Sequence, residues 1–271
     1  MNKKIGFIGC GHMAGAIIKG IIDSGLVPPE NITASALNKE KLKKTANNLK
    51  IRTAASNFEA AKEADIIFLA VKPNIYENVI AEIKSLFLAG RGEDKLVVSM
   101  APGKTLNYLE GLFGGKIKLL RIMPNTPAML GEAMTAVCGN EYLTENEYNT
   151  LIMLLKAFGR GQEIPERRFD AATGVAGSSP AFVFMFIEAL ADGAVLKGMP
   201  RDIAYTMAAQ AVLGSAEMVL KSGLHPAQLK DMVCSPGGTT IEGVTALEDK
   251  GLRAAVINAV RAVCDKSANI I

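Results

Sequence analysis

The sequence predicts an α/β protein: a doubly wound parallel sheet in the N-terminal part, followed by an all-helical C-terminal part. Three observations carry this expectation. Short apolar runs of strand length alternate with amphipathic helical stretches through the first half. From about Phe169 onward only helical periodicity remains. Between the two lies a polar stretch, Gln162 to Arg168, with Gly161 and Pro165 beside it, so the expected domains are 1–163 and 164–271.

Taken in order, Lys4 to Gly9 reads as a buried strand, and Met13 to Asp23 as a helix with Ile17, Ile18, Ile21 and Ile22 on one face. Asn31 to Ser35 is a second strand, Lys39 to Asn48 a polar helix, Ile51 to Thr53 a short strand and Asn57 to Glu63 a short helix. Asp65 to Val71 is the most distinct strand, nearly all apolar and ended by Lys72-Pro73, as expected where both faces of a parallel sheet are covered. A helix from Ile75 to Phe87 repeats Ile75, Val79 and Ile83 at helical spacing, and further strands are expected at Lys95 to Met100 and Lys118 to Met123. The second half predicts helices at Pro180 to Leu196, Arg201 to Lys221, Pro226 to Val233, Thr239 to Asp249 and Leu252 to Ser267. They are punctuated by Pro200, Gly223, Pro226, Pro236 and Gly251.

Composition excludes several function classes. The 271 residues are 49% hydrophobic and 21% charged, an ordinary globular balance. There is no Trp and aromatics are 6%, which argues against a platform for stacking bases. A net charge of +3 without runs of like charge leaves no footprint for nucleic acid. Cys10, Cys138, Cys234 and Cys264 form no Cys-x-x-Cys pair and only His12 and His225 accompany them, so no metal site is expected and the thiols read as reduced, in a cytoplasmic protein. His225, before Pro226 at a helix start, reads as solvent-facing.

Met1 to Lys4 and the apolar run after them mimic a signal peptide, but His12 interrupts the run and Lys19 follows, so a cytosolic start is expected. The most apolar later stretch, Val175 to Ile187, contains Gly177, Ser178, Ser179 and Pro180 and stops at Glu188, and reads as too short to span a bilayer. The helical half carries more apolar surface than it is expected to bury alone, which predicts a dimer interface.

Gly9-Cys10-Gly11-His12-Met13-Ala14 lies between the first strand and the first helix and reads Gly-x-Gly-x-x-Ala, the fingerprint of a Rossmann dinucleotide site. The first glycine permits a tight turn, the second lets backbone approach a pyrophosphate, and the small third residue lets the helix pack closely on the strand. The pyrophosphate then meets free N–H groups at a helix N-terminus. Where NAD sites usually carry an acid for the ribose, this chain reads Ser35-Ala36-Leu37-Asn38-Lys39, with no acid before Glu40. Ser35, Asn38 and Lys39 could hold a 2′-phosphate, so NADPH is expected to be preferred and NADH to be possible; the alternative for Lys39 is a solvated helix-start residue. Ala70, Val71, Lys72 and Pro73 end the most distinct strand, where open α/β sheets bind ligands, with Lys72 either beside the cofactor or in solvent. Met100, Ala101 and Pro102 hold the equivalent place on the next strand and would let a nicotinamide lie flat.

Two further segments are more specific: Arg121-Ile122-Met123-Pro124-Asn125-Thr126-Pro127, and Asp231 to Gly243 with Ser235-Pro236-Gly237-Gly238-Thr239-Thr240 at its centre. Together with Gly9 to Ala14, Ala70 to Pro73 and Gly177 to Phe182, the chain resembles the pyrroline-5-carboxylate reductases nearly end to end. The resemblance implies a Rossmann domain, a helical domain that interlocks two subunits into a homo-oligomer, and reduction of 1-pyrroline-5-carboxylate to proline by NAD(P)H. It implies that Ser35 and Asn57 meet the adenosine side of the cofactor, and that Ile8, Gly9, Cys10, Gly11, His12, Met13, Ala70, Val71, Lys72, Pro73, Met100, Ala101 and Pro102 line the rest, with Asn125 in the same group. It places the substrate at Ser235, Pro236, Gly237, Gly238, Thr239 and Thr240, with Thr240 as the catalytic candidate. Two positions depart from the family's usual pattern: His12 stands where Asn is frequent, and Ser179 replaces a usual glycine, which puts close packing there in doubt.

The residues suit imine chemistry. The helical half offers no convincing general acid, and a protonated imine needs none, because its carbon is already electrophilic; orientation and electrostatics suffice. Glycine N–H groups and the positive end of a helix near Thr239 could hold a carboxylate without Arg, and Thr240 could hydrogen-bond the ring nitrogen and relay a proton. The plainer alternative is a Pro-Gly turn with Thr239 as an N-cap. A hydroxyacid dehydrogenase would need a lysine in the stretch Gly174 to Phe182, which has none, and a cofactor-sensing regulator would not need the Ser235 to Thr240 segment.

Overall fold

The computed structural model describes residues 1–88, 92 and 94–269, so the last two residues of the expected second domain, 270 and 271, lie outside the described residues. The chain divides into two compact units, Met1–Ser178 with Val263–Ile271, and Ser179–Ala262. The sheet ends at Glu163, where the sequence places the domain boundary, but residues 164–178 stay with it in the first unit.

The first unit holds an eight-stranded sheet: β1 Ile5–Ile8, β2 Ile32–Ser35, β3 Arg52–Thr53, β4 Ile66–Leu69, β5 Leu96–Ser99, β6 Lys118–Met123, β7 Ala133–Gly139 and β8 Gly159–Glu163. Their order is β3-β2-β1-β4-β5-β6-β7-β8. The helices of this unit are α1 His12–Asp23, α2 Lys39–Leu49, α3 Asn57–Lys62, α4 Tyr76–Ile83, α5 Leu106–Phe113, α6 Glu145–Lys156 and the short α7 Phe169–Ala172. Alternate residues of β1, β4, β5 and β6 enter opposite cores. Phe7 packs with Ile17, Ile21, Phe68, Val98 and Leu154 on one face, while Ile8 packs with Leu69, Tyr76, Val97 and Leu109 on the other. Phe7 stacks on Phe68 with ring centroids 4.6 Å apart. The sheet is therefore doubly wound, and its order reverses direction between β1 and β4, the switch point where such sheets open a crevice.

The sheet is not wholly parallel, as the strand–helix alternation suggests, because β7 runs antiparallel to β6. The connection between them holds only the 3₁₀ turn Thr126–Leu130, too short for the crossover that a parallel pair needs. β7, β8, α5 and α6 are not among the elements read from the sequence. The helix expected from Ile75 to Phe87 is α-helical only over Tyr76–Ile83, with 3₁₀ turns at Pro73–Ile75 and Lys84–Leu86.

The second unit holds α8 Ser179–Val195, α9 Arg201–Ser222, α10 Pro226–Val233, α11 Thr239–Asp249 and most of α12 Leu252–Ala268. Its helices bury small residues, such as Ala191, Ala204 and Ala208, while Phe184, Met185, Leu196, Met207, Leu220, Met232 and Val233 are each more than half exposed. The expectation that the Val175 region is too short to span a bilayer is corrected. Gly177 to Pro180 do not end the helical path but widen it into a π turn, Thr173–Gly177, closed by Ser178 N–H donating to Thr173 O at 2.9 Å. Helical structure over Glu166–Val195, and again over Arg201–Ser222, is long and apolar enough to cross a membrane by length and composition.

One buried side chain fixes the ligand-facing edge of the sheet. The Tyr76 hydroxyl, fully inside, donates to Leu69 O at 2.7 Å and accepts from Ser99 Oγ and Met100 N, each at 3.3 Å. It thereby ties the C-terminal ends of β4 and β5 together. Burial pushes its pKa up to about 12, against the opposing hydrogen bonds from Ser99 and Met100. Tyr76→Phe leaves these groups short of a partner and should lower the unfolding free energy by about 1–3 kcal/mol in urea titrations at neutral pH. An unfolded tyrosine ionises near pH 10. The raised native pKa therefore gives stability that is fully present below pH ~10 and is lost as the pH rises toward 12. That alkaline loss should be smaller in Tyr76→Phe than in the wild type.

Candidate active site

The glycine-rich turn leaves β1 at the switch point. Gly9 adopts φ +94°, and its N–H donates to Ser35 O at 2.9 Å. A Cβ at Gly9 would lie 2.4 Å from the Ala70 carbonyl oxygen, so only glycine fits between β2 and β4. Gly11 is the N-cap of α1; it offers no side-chain cap, the first turn holds no acid, and the space beside it is open. Ala14 is buried against the sheet. The first amides of α1 are thus left for an anion. The Ile8 side chain is buried, so only its backbone can face a ligand; Met13 is half-buried and His12 exposed. Burial pushes the Cys10 thiol up, with the charge of Lys41 acting against it.

At the end of β2 the structure brings Ser35 and Asn57 together. Ser35 is 1% exposed, and its hydroxyl donates to Asn57 Oδ1 at 2.7 Å, which makes it a brace for Asn57 and not a free phosphate ligand. Asn57 Nδ2 donates in turn to Glu82 Oε2 at 2.8 Å. Asn38 caps α2 by accepting from Lys41 N at 2.9 Å, and Lys39 Nζ donates to Ala55 O at 2.8 Å. Both are exposed at this rim. Glu82 is missed by sequence reasoning because it comes from α4, far from the second strand in the chain.

Ala70 to Pro73 and Met100 to Pro102 sit side by side on the two strand ends that Tyr76 ties together. Lys72 is exposed, Ala101 buried, and Ala70, Val71, Pro73, Met100 and Pro102 half-buried. Asn125 has a structural task. At 8% exposure, its Oδ1 accepts from Met134 N at 2.9 Å and its Nδ2 donates to Ala176 O at 3.0 Å. Pro180 has no N–H to offer that carbonyl four residues earlier, and Asn125 supplies the missing donor. The asparagine of the Arg121 to Pro127 segment thus stabilises the π turn.

In the second unit, Ser235-Pro236-Gly237-Gly238 forms a turn closed by Gly238 N–H donating to Ser235 O at 3.0 Å, with Gly237 at φ +65°. Gly238 is the N-cap of α11 and has no side-chain cap, so Thr239 is the first helical residue and not the cap. The segment is exposed except for the half-buried Gly238 and Thr240. By contrast, α2, α3, α5, α6 and α10 are capped by the side chains of Asn38, Ser56, Thr105, Thr144 and His225. The two glycine segments singled out in the sequence both end in helix starts whose amides no cap occupies. Among the described residues no cluster of His, Cys, Asp and Glu could hold a metal ion.

Free backbone amides at the switch point of a doubly wound sheet define a dinucleotide-binding protein. Comparison with known proteins narrows this class. The family model for pyrroline-5-carboxylate reductase dimerisation matches residues 166–270, and one for NADP oxidoreductases, coenzyme F420-dependent, matches residues 4–103. A pyrroline-5-carboxylate reductase of Escherichia coli is 50% identical over 267 residues, 98% of either chain. One from Methanosarcina acetivorans is 43% identical over 98% of this chain and 97% of its own. The crystal structure of a Plasmodium falciparum pyrroline carboxylate reductase with NADP bound superposes with a TM-score of 0.89 at 35% identity, covering 98% of this chain and 97% of that one. The chain belongs to the pyrroline-5-carboxylate reductase family.

Asn125→Ala removes a donor and an acceptor from two part-buried backbone groups. It should lower the unfolding free energy by about 1–3 kcal/mol, read from the urea midpoint; an unchanged midpoint would refute the bracing role.

Proposed function

We propose that the protein reduces 1-pyrroline-5-carboxylate to L-proline with hydride from NAD(P)H, the last step of proline biosynthesis. The observation that carries the reading is the uncapped N-terminus of α11 behind Ser235-Pro236-Gly237-Gly238, in a chain of this family. Bound NAD(P)H would supply the hydride for the imine carbon, with the electron pair of the C=N bond going to the already protonated ring nitrogen. The chain's residues then have two tasks. The amides that open α11 hold the substrate carboxylate by charge-assisted hydrogen bonds, and the Thr240 hydroxyl orients the ring nitrogen. No strong general acid is required, which agrees with the absence of one in the Ser235 to Thr240 segment.

Gly9 to Met13 would hold the cofactor's pyrophosphate, Asn57 its adenosine side, and Ala70 to Pro73 with Met100 to Pro102 would line the rest. NADPH is preferred and NADH admitted, since the segment Ser35 to Lys39 offers no carboxylate and Lys39 supplies a cation at the rim. The exposed apolar side chains of α8 and α9 are covered by a second copy of the chain, so that these helices face protein and not lipid. The protein works in the cytoplasm, without nucleic acid or membrane as partner.

Loss of NADPH absorbance on adding 1-pyrroline-5-carboxylate, with 1-piperideine-2-carboxylate and 2-ketopantoate in parallel, tests the activity; no turnover of the first would sink it. Thr240→Ala should lower kcat/KM by about 10-fold, ~1.4 kcal/mol, with NADPH affinity nearly unchanged. Light scattering at micromolar concentration should give at least twice the mass of one chain.

A further inference from the structure

We propose that Glu82, on α4, sets how far this chain discriminates between the two nicotinamide dinucleotides, by opposing a 2′-phosphate. The inference rests on the cofactor site described above and deepens it. In sheets of this kind the acid that favours NAD stands at the end of the second strand, and the segment Ser35 to Lys39 has none. The fold brings a carboxylate to the same place from another element. Ser35 ends β2 and donates to Asn57 Oδ1 at 2.7 Å, and Asn57 Nδ2 donates to Glu82 Oε2 at 2.8 Å. Two hydrogen bonds thus connect the second strand to an exposed carboxylate.

The chemistry fixes the direction of this chain. An ionised carboxylate only accepts, so the Asn57 amide must turn its NH₂ toward Glu82 and its carbonyl toward Ser35. One N–H is held by Glu82, and among the described residues the second hydrogen of the same nitrogen has no partner, so it is open to a ligand. A 2′-phosphate taken by that second N–H would stand about 5–6 Å from the carboxylate, close enough for two anions to repel at low ionic strength. A ribose hydroxyl at the same point carries no charge and meets no such penalty. At the same rim Lys39, anchored to Ala55 O at 2.8 Å, supplies a cation that would attract the phosphate. Lys39 and Glu82 therefore act against each other, and NADH remains usable beside NADPH.

Calorimetric titration of the full-length protein with adenosine 2′,5′-bisphosphate and with 5′-AMP tests this without turnover, using the wild type, Glu82→Gln and Glu82→Lys. The bisphosphate should bind about 3–5-fold more tightly to Glu82→Gln and more tightly still to Glu82→Lys, while 5′-AMP changes by less than about 1.5-fold. The gain should shrink in about 0.5 M salt. The ratio of kcat/KM with NADPH to that with NADH should rise in the same order. An unchanged affinity ratio in both variants would overturn the proposal. Weaker bisphosphate binding in both would also overturn it, by making Glu82 a brace that helps Asn57 hold the phosphate. Binding of neither nucleotide by any form would remove the cofactor-site reading itself, and this proposal with it.

Discussion

All the cofactor-side loops of the first unit depend on how tightly β1 is enclosed where it ends. β1 lies between β2 and β4, and the chain must turn into α1 with the Ser35 and Ala70 carbonyls on either side of it. A Cβ there would come within 2.4 Å of a backbone oxygen, an approach no rotamer can relieve. Gly9 is therefore a condition of the topology before it is a feature of a ligand site. With that turn in place α1 starts at Gly11, and its free amides point at the crevice that the reversal of strand order opens. Tyr76 does for the neighbouring strand ends what Gly9 does for β1. Its hydroxyl joins two strands whose exits would otherwise be set only by loops of their own.

What was legible in the sequence follows from what each element buries. β1, β4, β5 and β6 bury both faces, so they appear as short apolar runs. β8, Gly-Arg-Gly-Gln-Glu, is an edge strand held by backbone pairing with β7, and it has no apolar pattern to read. β7 mixes Ala, Thr and Gly and reverses direction, which no run of residues reveals. α6 could have been found, since Thr144 and Glu147 form a capping box spaced as that motif requires. In the site, the glycine turns were legible because they are local. Ser35 is legible from its place at the end of the second strand and Asn57 through resemblance, but that Ser35 turns inward to hold Asn57 is a fact of tertiary packing. Glu82 and Tyr76 come from α4 and leave no local signal at the loops they control.

The two glycine segments share one physical device. Among the described residues α2, α3, α5, α6 and α10 satisfy their first amides with Asn, Ser, Thr or His side chains; α4, α7 and α9 do not, and α1 and α11 begin behind a glycine cap. An anion held by backbone amides meets donors that neither titrate nor swing, at a helix end whose partial charge favours it. On the function proposed above, the device would serve a pyrophosphate at α1 and a carboxylate at α11, with no arginine needed at either place. A side chain at Gly11 would stand in the open space beside the start of α1, where the proposed pyrophosphate would have to approach the backbone. Sequence reasoning could locate both segments but could not decide whether Thr239 caps α11. The backbone decides it, by making Gly238 the cap.

The second unit shows why composition alone does not separate three environments. The helical stretches Glu166–Val195 and Arg201–Ser222 have the length and apolarity of membrane spans, of core helices and of a subunit interface alike. The distribution of polar groups fits the third of these best. A lipid-facing span keeps its charged groups off the hydrocarbon surface, yet α8 carries Glu188 and Asp192, and α9 carries Asp202 and Glu217, all exposed among the apolar side chains. A core helix would be covered by its own chain, and Phe184, Met185 and Met207 are not. A surface that is apolar, open and interspersed with carboxylates suits another protein surface, where polar groups find partners at a rim. That these same residues match the family's dimerisation model fits the physical reading, which needs only burial and charge to reach the same place.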